Sequence, residues 1–216
     1  VEGNSNIDVI INAENKVTLK PHLNFFGSNI IRFVATDDNG AVTNGNNITI
    51  NVRAVNDRPI LEDIDTLRVV ATMPLILNPV ASDPDNDILT FTYSPPFNSN
   101  GVFIPTLNEV GTYTSIIKVS DGTLSTTDSF TIIVEPKVVI NEFDSNPSGE
   151  DTGNEWIELF NPTNQAANLN SWYLKDAADH TININVGNLN ANSYFIVSLD
   201  SALLNNDGEE LRLFND

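Results

Sequence analysis

The sequence predicts an all-β protein built as a tandem array of β-sandwiches, and three observations predict it. Short runs alternate apolar and polar residues with a period of two, as in Ile48-Thr49-Ile50-Asn51-Val52, which places Ile48, Ile50 and Val52 on one face of a strand. Clusters of Asn, Asp, Gly, Pro and Ser separate these runs, and those residues turn a chain. No segment carries the sustained 3.6-residue apolar period of a long helix.

Taken in chain order, the first strands are Ile30 to Ala35 and Ile48 to Val52. Leu89, Phe91 and Tyr93 then alternate with Thr90 and Thr92, and Phe130, Ile132 and Val134 alternate with Thr131 and Ile133. An internal repeat joins these regions: a Gly, a strand, an acidic turn and a second strand. Gly27 opens the first copy, SNIIRFVATDDNGAVTNGNNITINV, and Gly111 opens the second, TYTSIIKVSDGTLSTTDSFTIIV. Two homologous hairpins, Gly27 to Val52 and Gly111 to Val134, are expected.

Each copy ends in a connector containing Pro, Arg53 to Pro59 and then Glu135-Pro136, and Pro cannot extend a central strand. Three segments follow: 1–56, the C-terminal part of a sandwich; 57–136, a complete one; and 137–216, a third with a different texture. The first holds about half of the roughly 100 residues of an immunoglobulin-like sandwich. The last stops at Leu211-Arg212-Leu213-Phe214, so both ends read as cut within sandwiches.

Composition narrows the function classes. The net charge is −19, from 10 Lys and Arg against 29 Asp and Glu. Such a surface repels phosphate backbones and anionic membranes and attracts divalent cations. Nucleic acid is thereby set aside as a partner. The absence of cysteine removes disulfides, thiolate nucleophiles and thiolate zinc sites, and His22 and His180 are the two imidazoles. Apolar runs, such as Val69 to Ala71 and Val138 to Ile140, are far too short to span a membrane. An export signal would lie outside this segment, because Val1 opens neither a charged n-region nor an apolar h-region. The abundance of Asn argues against an extreme thermophile.

VATDDNGAVTNGNNITINVRAVNDRP resembles the last strands and linker of a prokaryotic cadherin-like repeat of the dystroglycan-related type. ASDPDNDILTFTYS and KVSDGTLSTTDSFTIIVEP resemble the next repeat, with features shared by immunoglobulin-like repeats. VVINEFDSNPSGEDTGNEWIELFNP followed by LNSWYLKD is similar to the start of a lamin tail domain, a small β-sandwich. The resemblance implies tandem immunoglobulin-like or cadherin-like sandwiches followed by a lamin-tail-like one.

It also implies a metal site. Cadherins hold calcium between modules with an Asn-Asp linker, an Asp-x-Asp turn and a later Asp, and the matching residues here are Asn56, Asp57, Asp83, Asp85 and Asp121. Hard Ca²⁺ takes six to eight oxygens and relieves the repulsion of converging carboxylates. Ala54 stands where the family linker is usually acidic, and the upstream Glu motifs have no counterpart, so one calcium is expected rather than a cluster of three. The second module would hold it, with Asn56 and the Arg58 carbonyl assisting. The alternative is that Asp83-Pro84-Asp85-Asn86-Asp87 is an Asx-rich turn without an ion. An EF-hand is excluded, because Ile88 and Ser94 occupy the positions of its Gly and Glu. Asp37 corresponds to Asp121 in the repeat. Asp144, Glu150, Asp151 and Glu155 form a second acidic loop, either a calcium site or a set of solvated acids.

Enzymatic readings fare poorly. Asp151-Thr152-Gly153 spells the aspartic-protease triplet, but in a polar loop and without a second copy. Neither histidine stands in a catalytic pattern. Trp156, Trp172 and Tyr173 could stack on sugars, yet core packing is the default, with Trp156 alternating alongside Glu158 and Phe160. Asn47-Ile48-Thr49 is an N-glycosylation sequon.

These observations describe a non-enzymatic, extracellular structural or adhesive part of a large microbial cell-surface protein, in a surface layer, stalk or filament, stiffened by calcium. Its partners would be copies of itself, other surface proteins or glycans. The alternative is an accessory, glycan-binding region of a secreted hydrolase. A further expectation is β-augmentation between subunits through Val1 to Ile11 or Leu211 to Phe214.

Overall fold

A computed structural model describes residues 1–150, 152–184, 186–200, 203–206 and 208–215. All its regular elements are strands, and no helix occurs among the described residues. The first four are β1 (Ile7–Ile11), β2 (Val17–Pro21), β3 (Gly27–Thr36) and β4 (Val42–Val52). Then come β5 (Ile60–Leu61), β6 (Leu67–Val70), β7 (Leu75–Ile76), β8 (Ala81–Ser82), β9 (Thr90–Tyr93), β10 (Val102–Phe103), β11 (Gly111–Ser120) and β12 (Ser125–Glu135). The remainder are β13 (Val139–Asp144), β14 (Trp156–Asn161), β15 (Ala167–Asn168), β16 (Tyr173–Lys175), β17 (Thr181–Asn183), β18 (Asn188–Leu189), β19 (Ser193–Ser198) and β20 (Arg212–Phe214).

The chain divides into two units. The first comprises Val1–Leu61, Ala81–Thr90 and Val119–Thr126; the second comprises Glu62–Val80, Phe91–Lys118 and Thr127–Asp216.

In the first unit β1 pairs with β2, β3 with β4, and β5 with β8, all antiparallel. The β3–β4 hairpin begins at Gly27 and ends at Val52, as the repeat predicts, with a bulge between Arg32 and Val34. In register, Ile31 faces Ile48 and Asn29 faces Ile50, so the anticipated apolar face exists. Its cover is thin: Ile31 is buried, Ile50 and Val52 are half-buried, and Ile48 keeps 41% of its surface exposed. A two-stranded ribbon leaves its rim open, which is why period-two patterning alone overstates burial here.

The second copy of the repeat forms β11 and β12, neighbours in a four-stranded sheet of order β6-β12-β11-β9. The copies match in length, a 10-residue strand followed by an 11-residue one in each. β6 joins β12 in parallel, Leu67 opposite Ile132. Phe130, Ile132 and Val134 are buried, as their alternation requires. Phe97 organises this core, with Phe103 and Phe130 at ring-centroid distances of 6.1 and 6.0 Å.

The C-terminal strands form sheets of order β13-β14-β19 and β17-β16-β20 and a short β15–β18 pair. Ile157, Leu159, Leu169, Leu174 and Ile184 are fully buried in one core. Glu155 and Asn161 share the inward phase of β14 and are themselves buried. The expectation that Trp156 is core is therefore corrected. Trp156, Glu158 and Phe160 occupy the outer phase and are half-buried, and Phe160 stacks on Tyr194 at 4.4 Å. The period was right and the phase was not; a shift of one residue exchanges the two faces. Trp172 does pack against the core.

Both segments proposed for augmentation pair within the chain. Glu2 bridges Arg32 through two backbone hydrogen bonds, β1 pairs with β2, and β20 pairs with β16, Phe214 opposite Tyr173. β1 and β20 nevertheless stand at the ends of their sheets, so each pairs on one side only.

Candidate metal centre at the first connector

Asp83 follows β8 and builds the turn that carries the acidic group. Its Oδ1 accepts the backbone N–H groups of Asp85 at 2.9 Å and Asp87 at 3.2 Å, and its carbonyl accepts that of Asn86 at 3.1 Å. Asn86 adopts a left-handed φ of 62°, which Asn tolerates better than most residues. An Asx turn is therefore present, and it has an electrostatic consequence. Asp83, Asp85 and Asp87 each bring a carboxylate oxygen within 4.8 Å of the other two.

Two unit charges 4.8 Å apart, the widest spacing in the group, repel by at least about 1 to 3 kcal/mol between bulk-water and surface dielectrics. Among the described residues no ion pair involves these three acids. Asp83 Oδ2 is moreover buried and has no hydrogen-bond partner. A shielded carboxylate oxygen without a donor is costly unless a cation completes it. The donor set is all oxygen, which suits calcium or magnesium and not a soft metal.

The connector is tied to this turn and to the hairpin turn of the repeat. The Asp57 N–H donates to Asp85 Oδ2 at 2.7 Å, and Asn56 Nδ2 donates to Asp121 Oδ2 at 2.8 Å. Asp121 Oδ1 accepts the N–H groups of Thr123 and Leu124, both at 2.6 Å. Burial of Asp121 works against its ionisation, but the bonds from Thr123, Asn56 and Leu124 outweigh it and hold the carboxyl below the usual range. Arg58 contributes its guanidinium to the Ser125 carbonyl at 2.8 Å, and Thr126 Oγ1 donates to the Pro59 carbonyl. All these residues belong to the first unit.

Of the five residues read from sequence, Asp83 and Asp85 thus stand in one tight carboxylate group. Asn56, Asp57 and Asp121 connect to it or to one another by hydrogen bonds and lie outside it. Asp87 is a member of the group that sequence reasoning missed. Its signal is the strict Asp-x-Asp-x-Asp spacing of 83, 85 and 87. Asp37 plays a similar part in a turn one residue longer, its Oδ1 accepting the N–H groups of Asn39 at 3.0 Å and Ala41 at 2.8 Å.

Among the described residues the second acidic loop forms no comparable carboxylate group. Asp144 Oδ1 caps the Asn146 N–H, and the Glu150 carbonyl accepts from the Asn154 side chain. Glu155 is 1% exposed, and its Oε2 accepts the N–H groups of Leu203 at 2.7 Å and Leu204 at 3.0 Å, so it anchors a loop. Asp151, and with it the Asp-Thr-Gly triplet, lies outside the described residues. The two histidines bond to acids, His22 to Asp8 and His180 to Asp176.

Residues 134–216 match the family described as Lamin Tail Domain. None of the curated proteins compared with the chain matches it. Among solved structures, a four-domain cadherin fragment of protocadherin gamma B3 is 13% identical; the match covers 90% of this chain and 55% of that one, with a TM-score of 0.38. The eight N-terminal immunoglobulin domains of Down Syndrome Cell Adhesion Molecule are 15% identical over 99% of this chain and 31% of theirs, with a TM-score of 0.38. An endo-fucoidan hydrolase of glycoside hydrolase family 107 is 13% identical over 90% of this chain, with a TM-score of 0.31, and this chain spans 37% of its length.

Proposed function

We propose that this chain is a run of non-catalytic, extracellular structural or adhesive modules from a large microbial surface protein, with segments 1–56, 57–136 and 137–216 as successive sandwiches. One calcium ion stiffens its first connector. The observation that carries the calcium reading is the group of three carboxylates with the buried, partnerless oxygen of Asp83. Asp83, Asp85 and Asp87 form the nucleus of the site, and Asn56, Asp57 and Asp121 supply further oxygens. Six to eight oxygens suit calcium, and a surface of net charge −19 concentrates cations around it. The hydrogen bond from Asp57 to Asp85 means that ordering the acidic turn also orders the connector, which Asn56 ties in addition to Asp121. Calcium would thereby add folding free energy where cysteine contributes none. Copies of the chain, other surface proteins and glycans are the natural partners of such a spacer.

Differential scanning calorimetry tests the reading. Calcium at 100 times its Kd adds about 2.7 kcal/mol to the unit that binds it, so one transition should rise with CaCl2 and fall back with EDTA. The paired substitution Asp83→Asn and Asp85→Asn should abolish the rise. Transitions indifferent to calcium would refute the proposal.

A further inference from the structure

Away from the acidic turn, the second unit has a cleft of about 340 Å³ lined by Glu135, Ala167, Asn168, Asn170, Trp172 and Asn215. Three segments build it: the end of β12, the stretch from β15 to β16, and the residue after β20. Trp172 is half-buried and packs one side against the C-terminal core. Its backbone is fixed at both groups, N–H to the Leu169 carbonyl at 3.1 Å and carbonyl from the Ile184 N–H at 2.9 Å. An indole so held is a rigid wall, with little entropy left to lose on binding.

The polar lining is unusual in kind. Asn168, Asn170 and Asn215 are exposed and supply three carboxamides, each with donors and acceptors on one planar group. The Asn168 Oδ1 accepts the Asn170 N–H at 3.0 Å, which sets the turn between them. Glu135 adds a carboxylate whose Oε1 is held by Arg68 at 2.7 Å. No Lys, Arg or His lines the cleft. An anionic ligand would meet the Glu135 carboxylate, whose Arg68 partner is already paired, and a strongly negative chain around it. A ligand with several hydroxyls, each both donor and acceptor, matches carboxamides in number and sense, and one with an apolar ring face matches the indole.

We infer that this cleft is a binding site for a neutral pyranose, most simply one residue of an uncharged polysaccharide. Its volume falls at the lower end of small-ligand sites, which suits one ring. The site does not depend on the calcium reading, since it shares no residue with the acidic turn.

The test is ¹⁵N NMR of the full chain titrated with cello-, manno- and xylo-oligosaccharides, with a sulfated oligosaccharide as the charged control. At least one neutral probe should shift the Trp172 indole N–H and the side-chain amides of Asn168 and Asn170, with a Kd of about 1 mM or tighter. The Trp156 indole, which does not line the cleft, should not move. Asn168→Ala and Asn170→Ala, both at exposed positions, should each weaken binding about tenfold, the loss of one or two good hydrogen bonds. Trp172→Ala should abolish it. No shift of the Trp172 indole with any neutral probe, shifts produced by the sulfated probe alone, or affinity unchanged in both asparagine variants would overturn the inference.

Discussion

Asn161 carries the most demanding structural prediction. It is 0% exposed, and its Nδ2 donates to the carbonyls of Gln165 at 2.8 Å, Leu189 at 3.0 Å and Asn190 at 3.1 Å. Its Oδ1 accepts the Thr163 N–H at 3.0 Å and the Thr163 hydroxyl at 2.6 Å. One side chain thus closes the loop after β14 and ties it to the end of β18. Asn161→Ala removes all five contacts, which four hydrogens carry, and strands buried groups; at about 1 kcal/mol net per hydrogen the loss is about 3 to 4 kcal/mol, a large share of a domain's stability. Both tryptophans lie between β14 and β16, so tryptophan fluorescence during urea unfolding reports this region selectively. A loss below about 1 kcal/mol would refute the reasoning, because water would then be replacing every bond. Asn161→Asp is the sharper variant. It keeps the shape, but at neutral pH it points a carboxylate at three carbonyls. It should cost at least as much as the alanine and recover in part as acid restores a donor.

Three further outcomes follow from other residues. Glu155→Ala frees the buried N–H groups of Leu203 and Leu204, so hydrogen exchange at both amides should accelerate and stability fall by about 2 to 4 kcal/mol. At Asp176, burial opposes ionisation, but bonds from the His180 ring and backbone prevail and depress the carboxyl pKa. A depressed carboxyl stabilises above its unfolded pKa of about 3.9 and loses that contribution as pH falls through the folded value, so acid unfolding below about pH 4 should flatten in Asp176→Asn. Gly101 has φ +71°, and a Cβ there would lie 2.9 Å from the Tyr93 ring, so Gly101→Ala should lower the melting temperature of the region around Phe97.

Much of the fold was legible in the sequence because its signals were local. Gly27 and Gly111 open the two long hairpins, and Asp37 and Asp121 each accept backbone N–H groups in the turn that follows, the first turn being one residue longer. The phase of β14 was not legible. Trp156 and Phe160 on one parity and Ile157 and Leu159 on the other are all apolar, and Glu155 and Glu158 fall on opposite parities, so neither hydrophobicity nor charge chose a face. Packing chose it: Leu169, Leu174 and Ile184 cover the aliphatic side, while Tyr194 and Ile196, 56% and 52% exposed, pair with the aromatic side across β19. Asn161 was hidden for a related reason, since its four partner residues come from the loop after β14 and the end of β18, whose approach no local pattern encodes. In the acidic turn, Asp83 and Asp85 were visible through their spacing, whereas the inclusion of Asp87 depends on the left-handed Asn86 that folds it back.

The acidic turn is also where the functional account is most exposed. Crystals grown with millimolar CaCl2 and measured for calcium's anomalous signal would locate the ion directly. The account predicts a peak bonded to oxygens of Asp83, Asp85 and Asp87, at about 2.3 to 2.6 Å. Well-ordered carboxylates in calcium, making only their turn hydrogen bonds around a position without a peak, would contradict it.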